Sequence, residues 1–385
     1  MKARLLAELV LIAGFGAGGA DAPAQSPPAR QVTKVVGEGQ KLLLMSDGTL
    51  LGSRPRSAAL VAIALPGKAV DVAAGYDTFY ALLDDGTVRA WGQGDEGQLG
   101  IGPSVTSSET PVKVSGLAGV VQIVAMADVA LALLKDGTVR AWGSRAYGMV
   151  GDGLDPHRYL EQGPNAPFPV RVPNVSGITK LAAGGGFVLA LGSNGRVFSW
   201  GSNQFGALGR PPRQELPMDA VGEIPGLTDV IMVAGGNVVA TALKKDGTVW
   251  VWGSNSNAQF GNGEQTGAPS MDSGYELVPQ RVPGVTNVVA ISLGHTGRHT
   301  LVLLKDGTLR GWGNTDWGQI GAGVSNMFQE KPVIPRITGV KAVFAVGNNS
   351  FAVRTDGTFW GWGSGDPREW PFQKNTKVPT LLVLP

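Results

Sequence analysis

Short apolar blocks alternate with polar turn residues along this chain, and one such block recurs with unchanging internal spacing. Runs such as Phe79-Tyr80-Ala81-Leu82-Leu83 and Leu131-Ala132-Leu133-Leu134 lead into a turn, and Thr87-Val88-Arg89-Ala90-Trp91 or Thr308-Leu309-Arg310-Gly311-Trp312 leads out of it. The turn glycines are Gly86, Gly137, Gly195, Gly247, Gly307 and Gly357, each preceded by Asp or, once, by Asn194. Trp91, Trp142, Trp200, Trp252, Trp312 and Trp362 each stand five residues beyond their glycine. A seventh copy, Asp47-Gly48-Thr49, has Ser53 in the tryptophan position. Each phrase predicts a β-hairpin, with Asp-Gly supplying the positive φ of a two-residue type I′ turn. In the outgoing strand Val88 and Ala90 share one face while Arg89 and Trp91 share the other.

The agreement continues past the tryptophan. Gly97-Gln98-Leu99-Gly100 matches Gly148-Met149-Val150-Gly151, Gly206-Ala207-Leu208-Gly209 and Gly318-Gln319-Ile320-Gly321; one copy has Ala258 in place of the first glycine but keeps Gly261. The last glycine falls fourteen residues after the turn glycine in each of these copies, which marks a backbone position needing a tight bend or a close approach. Upstream of each hairpin lies another apolar segment ending near Ala-Gly, such as Val70-Asp71-Val72-Ala73-Ala74-Gly75, and it reads as a buried strand. A period near 50 residues with three or four short strands per unit predicts the blades of an all-β, seven-bladed β-propeller. The C-terminal segment Val378-Pro379-Thr380-Leu381-Leu382-Val383-Leu384-Pro385 resembles the strand that links other blades, as in Pro111-Val112-Lys113-Val114, so the ring is expected to close by pairing of the N- and C-terminal segments.

The phrase Ala-Leu-x-x-Asp-Gly-Thr-Val-x-x-Trp-Gly followed by Gly-Gln-Leu-Gly resembles the repeat of the regulator of chromosome condensation (RCC) family, over residues 32–385. The resemblance implies a seven-bladed propeller. For function it implies one of several roles found in that family, among them guanine nucleotide exchange on the small GTPase Ran, work as a ubiquitin-ligase subunit, or inhibition of β-lactamase by a secreted bacterial branch. The family's repeats often carry histidine before the strand entering the Asp-Gly turn. Here that column reads Gln40, Thr78, Val129, Phe187, Val239, His299 and Asn349, a divergent pattern.

Composition narrows this further. The 58 glycines serve turns, and 16% charged residues with a formal net charge of +2 leave no basic run long enough for a nucleic-acid footprint, so no direct nucleic-acid partner is expected. There is no cysteine, which removes disulfides and thiol chemistry. Met1-Lys2-Ala3-Arg4, an apolar run from Leu5 to Phe15 and small residues up to Ala24 have the layout of a signal peptide over residues 1–24, with 25–31 a proline-rich flexible leader. The apolar run is too short to span a membrane. Periplasmic or secreted localisation is therefore expected, with the cytoplasm as the alternative.

No catalytic constellation emerges. His295 and His299 lie at a strand entry and lack a third ligand, so a structural role is favoured and no metal is expected. Gly92/Gly94/Gly97 is repeat punctuation rather than a nucleotide loop, and no cofactor is implied. The turn aspartates set backbone conformation. What differs between copies is the connection after the tryptophan, and successive connections should emerge on one rim. Arg158, Tyr159, Arg210, Arg213, Tyr275, Trp317 and Phe328 are the candidate protein-binding residues there, because aromatic and arginine side chains dominate interfaces. The expectation is a non-enzymatic, monomeric interaction scaffold, exported, binding a protein partner through these loops. The alternatives are a guanine nucleotide exchange factor for a small GTPase and a secreted inhibitor of a hydrolase such as a β-lactamase.

Overall fold

Four consecutive antiparallel strands build each of seven sheets in a computed structural model that describes residues 30–53, 59–154, 165–211, 220–266, 274–294, 298–324, 326–365 and 371–385. The expected signal peptide and all but the end of the expected leader lie outside the described residues. The blades span 32–62, 69–113, 120–171, 178–223, 230–281, 288–333 and 340–382. Innermost strands contact one another in blade order, and Val340–Val346 of blade 7 contacts Val32–Val36 of blade 1, which makes the ring closed. This is the seven-bladed, all-β architecture that the repeat predicts.

Closure takes a different form from the expected one. The last strand, Thr376–Leu382, pairs with Phe359–Gly363 inside its own blade, not with blade 1. Blade 1 already owns four strands from the N-terminal side, so no place is vacant for a strand from the other end. The seam is sealed by burial instead: Val32, Val35, Leu43 and Leu51 of blade 1 pack with Val346, Phe351, Val353 and Phe359 of blade 7. Each of the other six seams has its own apolar cluster built from two successive blades.

The hairpins form where predicted, but with a longer turn. Leu83 N donates to Thr87 O at 2.9 Å and Gly86 N to Leu83 O at 2.9 Å, leaving three residues between the paired ends. Only the glycine is left-handed (Gly86 φ +77°), so the loop is a type I turn closed by a glycine bulge, not a type I′ turn. The aspartate selects this form: Asp85 Oδ1 accepts from Thr87 N at 2.8 Å and from Thr87 Oγ1 at 2.7 Å, tying the turn to the outgoing strand.

Candidate functional site

Antiparallel order sends the Asp-Gly turns to one face of the ring. The turns after the innermost strands and the long connections after the tryptophans reach the other face, here the connection face. What holds that face in place is a bond between neighbouring blades. The Nε1 of Trp142 donates to Gln98 O at 2.8 Å, Trp200 to Met149 O at 3.0 Å, Trp252 to Ala207 O at 3.0 Å, Trp312 to Gln259 O at 2.7 Å and Trp362 to Gln319 O at 2.8 Å. Each acceptor belongs to the Gly-x-x-Gly segment of the preceding blade, or in blade 5 to its variant Ala258-Gln259-Phe260-Gly261. All five indoles are fully buried. Trp91 faces blade 1, which has no such segment, and stacks on Phe79 at 5.9 Å. The histidine column is structural as well: His299 Nε2 lies 2.8 Å from Ser350 Oγ, while Thr78 and Asn349 bond Gln93 O and Ser364 O, each at 2.8 Å. His295 lies outside the described residues, and those residues contain no cluster of three or more acidic or histidine side chains placed to hold a metal.

Of the sequence-predicted binding residues, Arg158, Tyr159 and Arg213 lie outside the described residues. Trp317 stands on the connection face, 43% exposed. Tyr275 opens the outer strand of blade 5 and meets Phe205 of blade 4 at 6.3 Å between ring centroids. Phe328 opens the outer strand of blade 6, half-buried. Arg210 corrects its expectation: it is only 5% exposed, with Nε bonded to Ser199 Oγ at 3.2 Å and Nη2 to Ala220 O at 2.5 Å. Its guanidinium braces the connection from inside and is not offered to a partner. Trp250 and Trp360 are half-buried against the apolar clusters of two inter-blade seams, bonded to Thr248 and Thr358 and capped by Lys244 and Arg354.

The structure adds residues that the sequence reading missed. Tyr76 (57% exposed) follows the innermost strand of blade 2, and Tyr147 (64% exposed) occupies in blade 3 the position that Trp317 occupies in blade 6. Around them stand Asp77, Asp95, Glu96 and Asp128, with Glu38 from blade 1. Partial burial, then Glu96, Asp95 and Asp77, raise the Asp128 carboxyl above its ordinary range. Burial, then Glu38 and Asp128, raise the Tyr76 hydroxyl in the same way. Gln98 joins this arc to the frame, since its Oε1 accepts from Glu96 N at 2.8 Å and its Nε2 reaches Asp128 Oδ1 at 3.4 Å. A signal was available: the residue before the first position of each Gly-x-x-Gly segment, Ala258 included, reads Glu96, Tyr147, Phe205, Asn257 and Trp317, the column in which this face varies.

Residues 32–383 match the family profile described as RCC1-like domain. The ultraviolet-B receptor UVR8 of Arabidopsis thaliana is 27% identical over 351 residues, covering 78% of each chain. The guanine nucleotide exchange factor SRM1 of Saccharomyces cerevisiae is 30% identical, covering 68% of this chain but 57% of SRM1. The solved structure of Prp20p from Saccharomyces cerevisiae, described with its binding to Gsp1p and histones, superposes with a TM-score of 0.68 at 27% identity over 82% of this chain and 77% of Prp20p. Together with the seven-bladed ring and its repeat in register, the match identifies this chain as a member of the RCC1-like domain family.

Proposed function

We propose that this propeller is a non-enzymatic interaction scaffold that binds a protein partner through its connection face. The observation that carries the reading is Tyr76, Tyr147 and Trp317 standing exposed on a face whose backbone is bolted by buried tryptophans. Large rigid side chains on a preorganised frame lose little entropy on binding, which is how interface anchors work. Prp20p, a similar structure, binds proteins. Arg158, Tyr159 and Arg213 belong to connections that start on the same face and stay in the proposal with Tyr275 and Phe328. The layout of residues 1–24 supports export, and N-terminal sequencing of the protein from fractionated cells tests that part.

The binding reading is tested with full-length protein as bait. Partner capture should fall at least tenfold for the triple variant Tyr76→Ala, Tyr147→Ala, Trp317→Ala, while its melting temperature stays near that of the wild type. Undiminished capture by a folded triple variant overturns the assignment of the face. A second reading, nucleotide exchange on a small GTPase, is favoured by the 30% identity to SRM1. It predicts faster release of labelled GDP from a Ran-like GTPase, and a release rate equal to the intrinsic one removes it.

A further inference from the structure

The connection face has a recess on the ring axis. The ends of the innermost strands enclose a cavity of about 180 Å³ whose walls include Val36, Met126, Leu293 and Val346, with Glu38 and Tyr76 at its edge. These are apolar walls open to water at the centre of the face. An apolar cavity of roughly 150 Å³ accommodates a benzene-sized group, so this one has room for a single large side chain.

One side of its rim is charged. Asp77 and Asp95 are exposed, Glu96 and Asp128 half-buried, all four on blades 2 and 3. Among the described residues none of the four has a lysine or arginine within ion-pair distance. Two cations of blades 1 and 3 are engaged elsewhere: Lys41 donates to Glu38 O, and Arg145 is bound to Asp152 at 2.9 Å and to Asn165 O at 2.7 Å. Like charges held close together without a counterion weaken the fold, and a cationic partner relieves that repulsion. Tyr76 and Tyr147 stand exposed beside the carboxylates, and aromatic rings are a second kind of surface on which ammonium and guanidinium groups settle.

From the apolar cavity and its one-sided acidic rim we propose that the connection face takes a basic protein segment, one large apolar side chain filling the axial cavity and flanking lysines or arginines lying along Asp77, Asp95, Glu96 and Asp128. This rests on the reading of the connection face as a binding surface, and it specifies the chemistry of what binds. An acidic or neutral segment gains nothing from the rim. A basic segment without an apolar anchor gains only the salt-screened part of the interaction.

The test uses fluorescein-labelled peptides and fluorescence polarisation with the full chain. Lys-Lys-Leu-Lys-Lys should bind, and exchanging Leu for Ser should weaken it about tenfold. Glu-Glu-Leu-Glu-Glu should not bind. The double variant Glu96→Gln, Asp128→Asn should lose tenfold or more for the basic peptide. Met126→Ala, which widens the cavity without touching the charges, should weaken the leucine peptide and leave the serine peptide unchanged. Equal affinity for both charge signs overturns the proposal, as does indifference to the double variant or to the Leu-to-Ser exchange. If partner capture falls with the aromatic triple variant yet ignores Glu96→Gln, Asp128→Asn, the scaffold reading stands and this inference fails. If capture ignores both sets, the face itself is wrong.

Discussion

The indole of Trp142 rests on Gly100, 42 residues earlier in the chain, so closely that a methyl group on that glycine would lie 2.9 Å from Nε1. The same indole donates to Gln98 O, so a single side chain both fills the space over one blade and caps a carbonyl of it. Trp200 over Gly151, Trp252 over Gly209, Trp312 over Gly261 and Trp362 over Gly321 repeat the arrangement. Five seams thus carry the same lock. The two seams flanking blade 1 do not, since Ser53 replaces its tryptophan and its Gly-x-x-Gly segment is missing.

Gly151→Ala should be among the most damaging single-atom additions in the protein. Its added carbon would meet Trp200 Nε1 at 2.6 Å while the backbone stays at φ +66°. Left-handed backbone alone costs about 1–2 kcal/mol for alanine, and overpacking adds about 1–3 kcal/mol. Gly116→Ala is the control, with φ +65° and nothing within 4 Å of the new carbon. Urea midpoints should fall for both and clearly further for Gly151→Ala; equal losses would mean that the indole contact is not tight.

Trp200→Phe removes a buried N–H bonded at 3.0 Å and leaves Met149 O without its donor. An unsatisfied buried acceptor costs about 1–3 kcal/mol, with a further loss for the missing ring volume. Trp91→Phe should cost less, because Trp91 stacks on Phe79 with no repeat-segment carbonyl from blade 1 above it. Calorimetry on the two variants checks the ranking, and a larger drop for Trp91→Phe would contradict it.

Both the tryptophan and the glycine columns were legible in the sequence, yet their meeting was not, because the partners sit on different blades. The repeat said that Gly100 and Gly151 need closeness to something; only the ring says to what. The turn type was misread because Asp-Gly is shared by two hairpin loops, and the threonine that picks the longer one acts through a side-chain bond. Arg210 shows the limit of reading loops by residue type, since arginine marks interfaces but also braces buried carbonyls. Tyr76 and Asp128 each stand two residues past the end of an innermost strand, in short turns with no repeat signature, and the ring alone brings them onto one rim.

Asp85, Asp136, Asp246, Asp306 and Asp356 all have carboxyls held below the ordinary range, first by the threonine hydroxyl and then by the threonine amide. A carboxyl lowered in the folded state adds stability that is full above the unfolded value, about 4, and fades as pH falls through the lowered folded value. Thr138→Val deletes the hydroxyl bond at 2.7 Å and keeps the shape. It should lower the urea midpoint at neutral pH and have almost no effect near pH 2. An equal effect at both values would assign the loss to packing instead.

Asp128 has the opposite sign. Its carboxyl is raised, mainly by burial and then by Glu96, Asp95 and Asp77, so its charged form opposes folding once pH exceeds the unfolded value. Asp128→Asn should therefore raise the melting temperature at pH 7 and change nothing near pH 3, where both states hold the proton. Thermal melts across that range test it, and a neutral-pH loss would show that the carboxylate has a stabilising partner.

Ala258 occupies the column filled elsewhere by Gly97, Gly148, Gly206 and Gly318, and it accepts the same left-handed backbone, φ +57°. Ala258 N still donates to Asn255 O at 3.1 Å, as Gly148 N does to Arg145 O at 3.0 Å, so the turn itself survives the substitution. What remains is the backbone penalty of a side chain at positive φ, about 1–2 kcal/mol. Glycine's larger unfolded-state entropy offsets about 0.5–1 kcal/mol of that. Ala258→Gly should therefore stabilise the protein by up to about 1.5 kcal/mol, whereas most changes to a buried position destabilise. Chemical denaturation at neutral pH measures the difference; a loss on restoring glycine would mean that the Ala258 methyl, fully buried in its turn, contributes more by packing than its backbone costs.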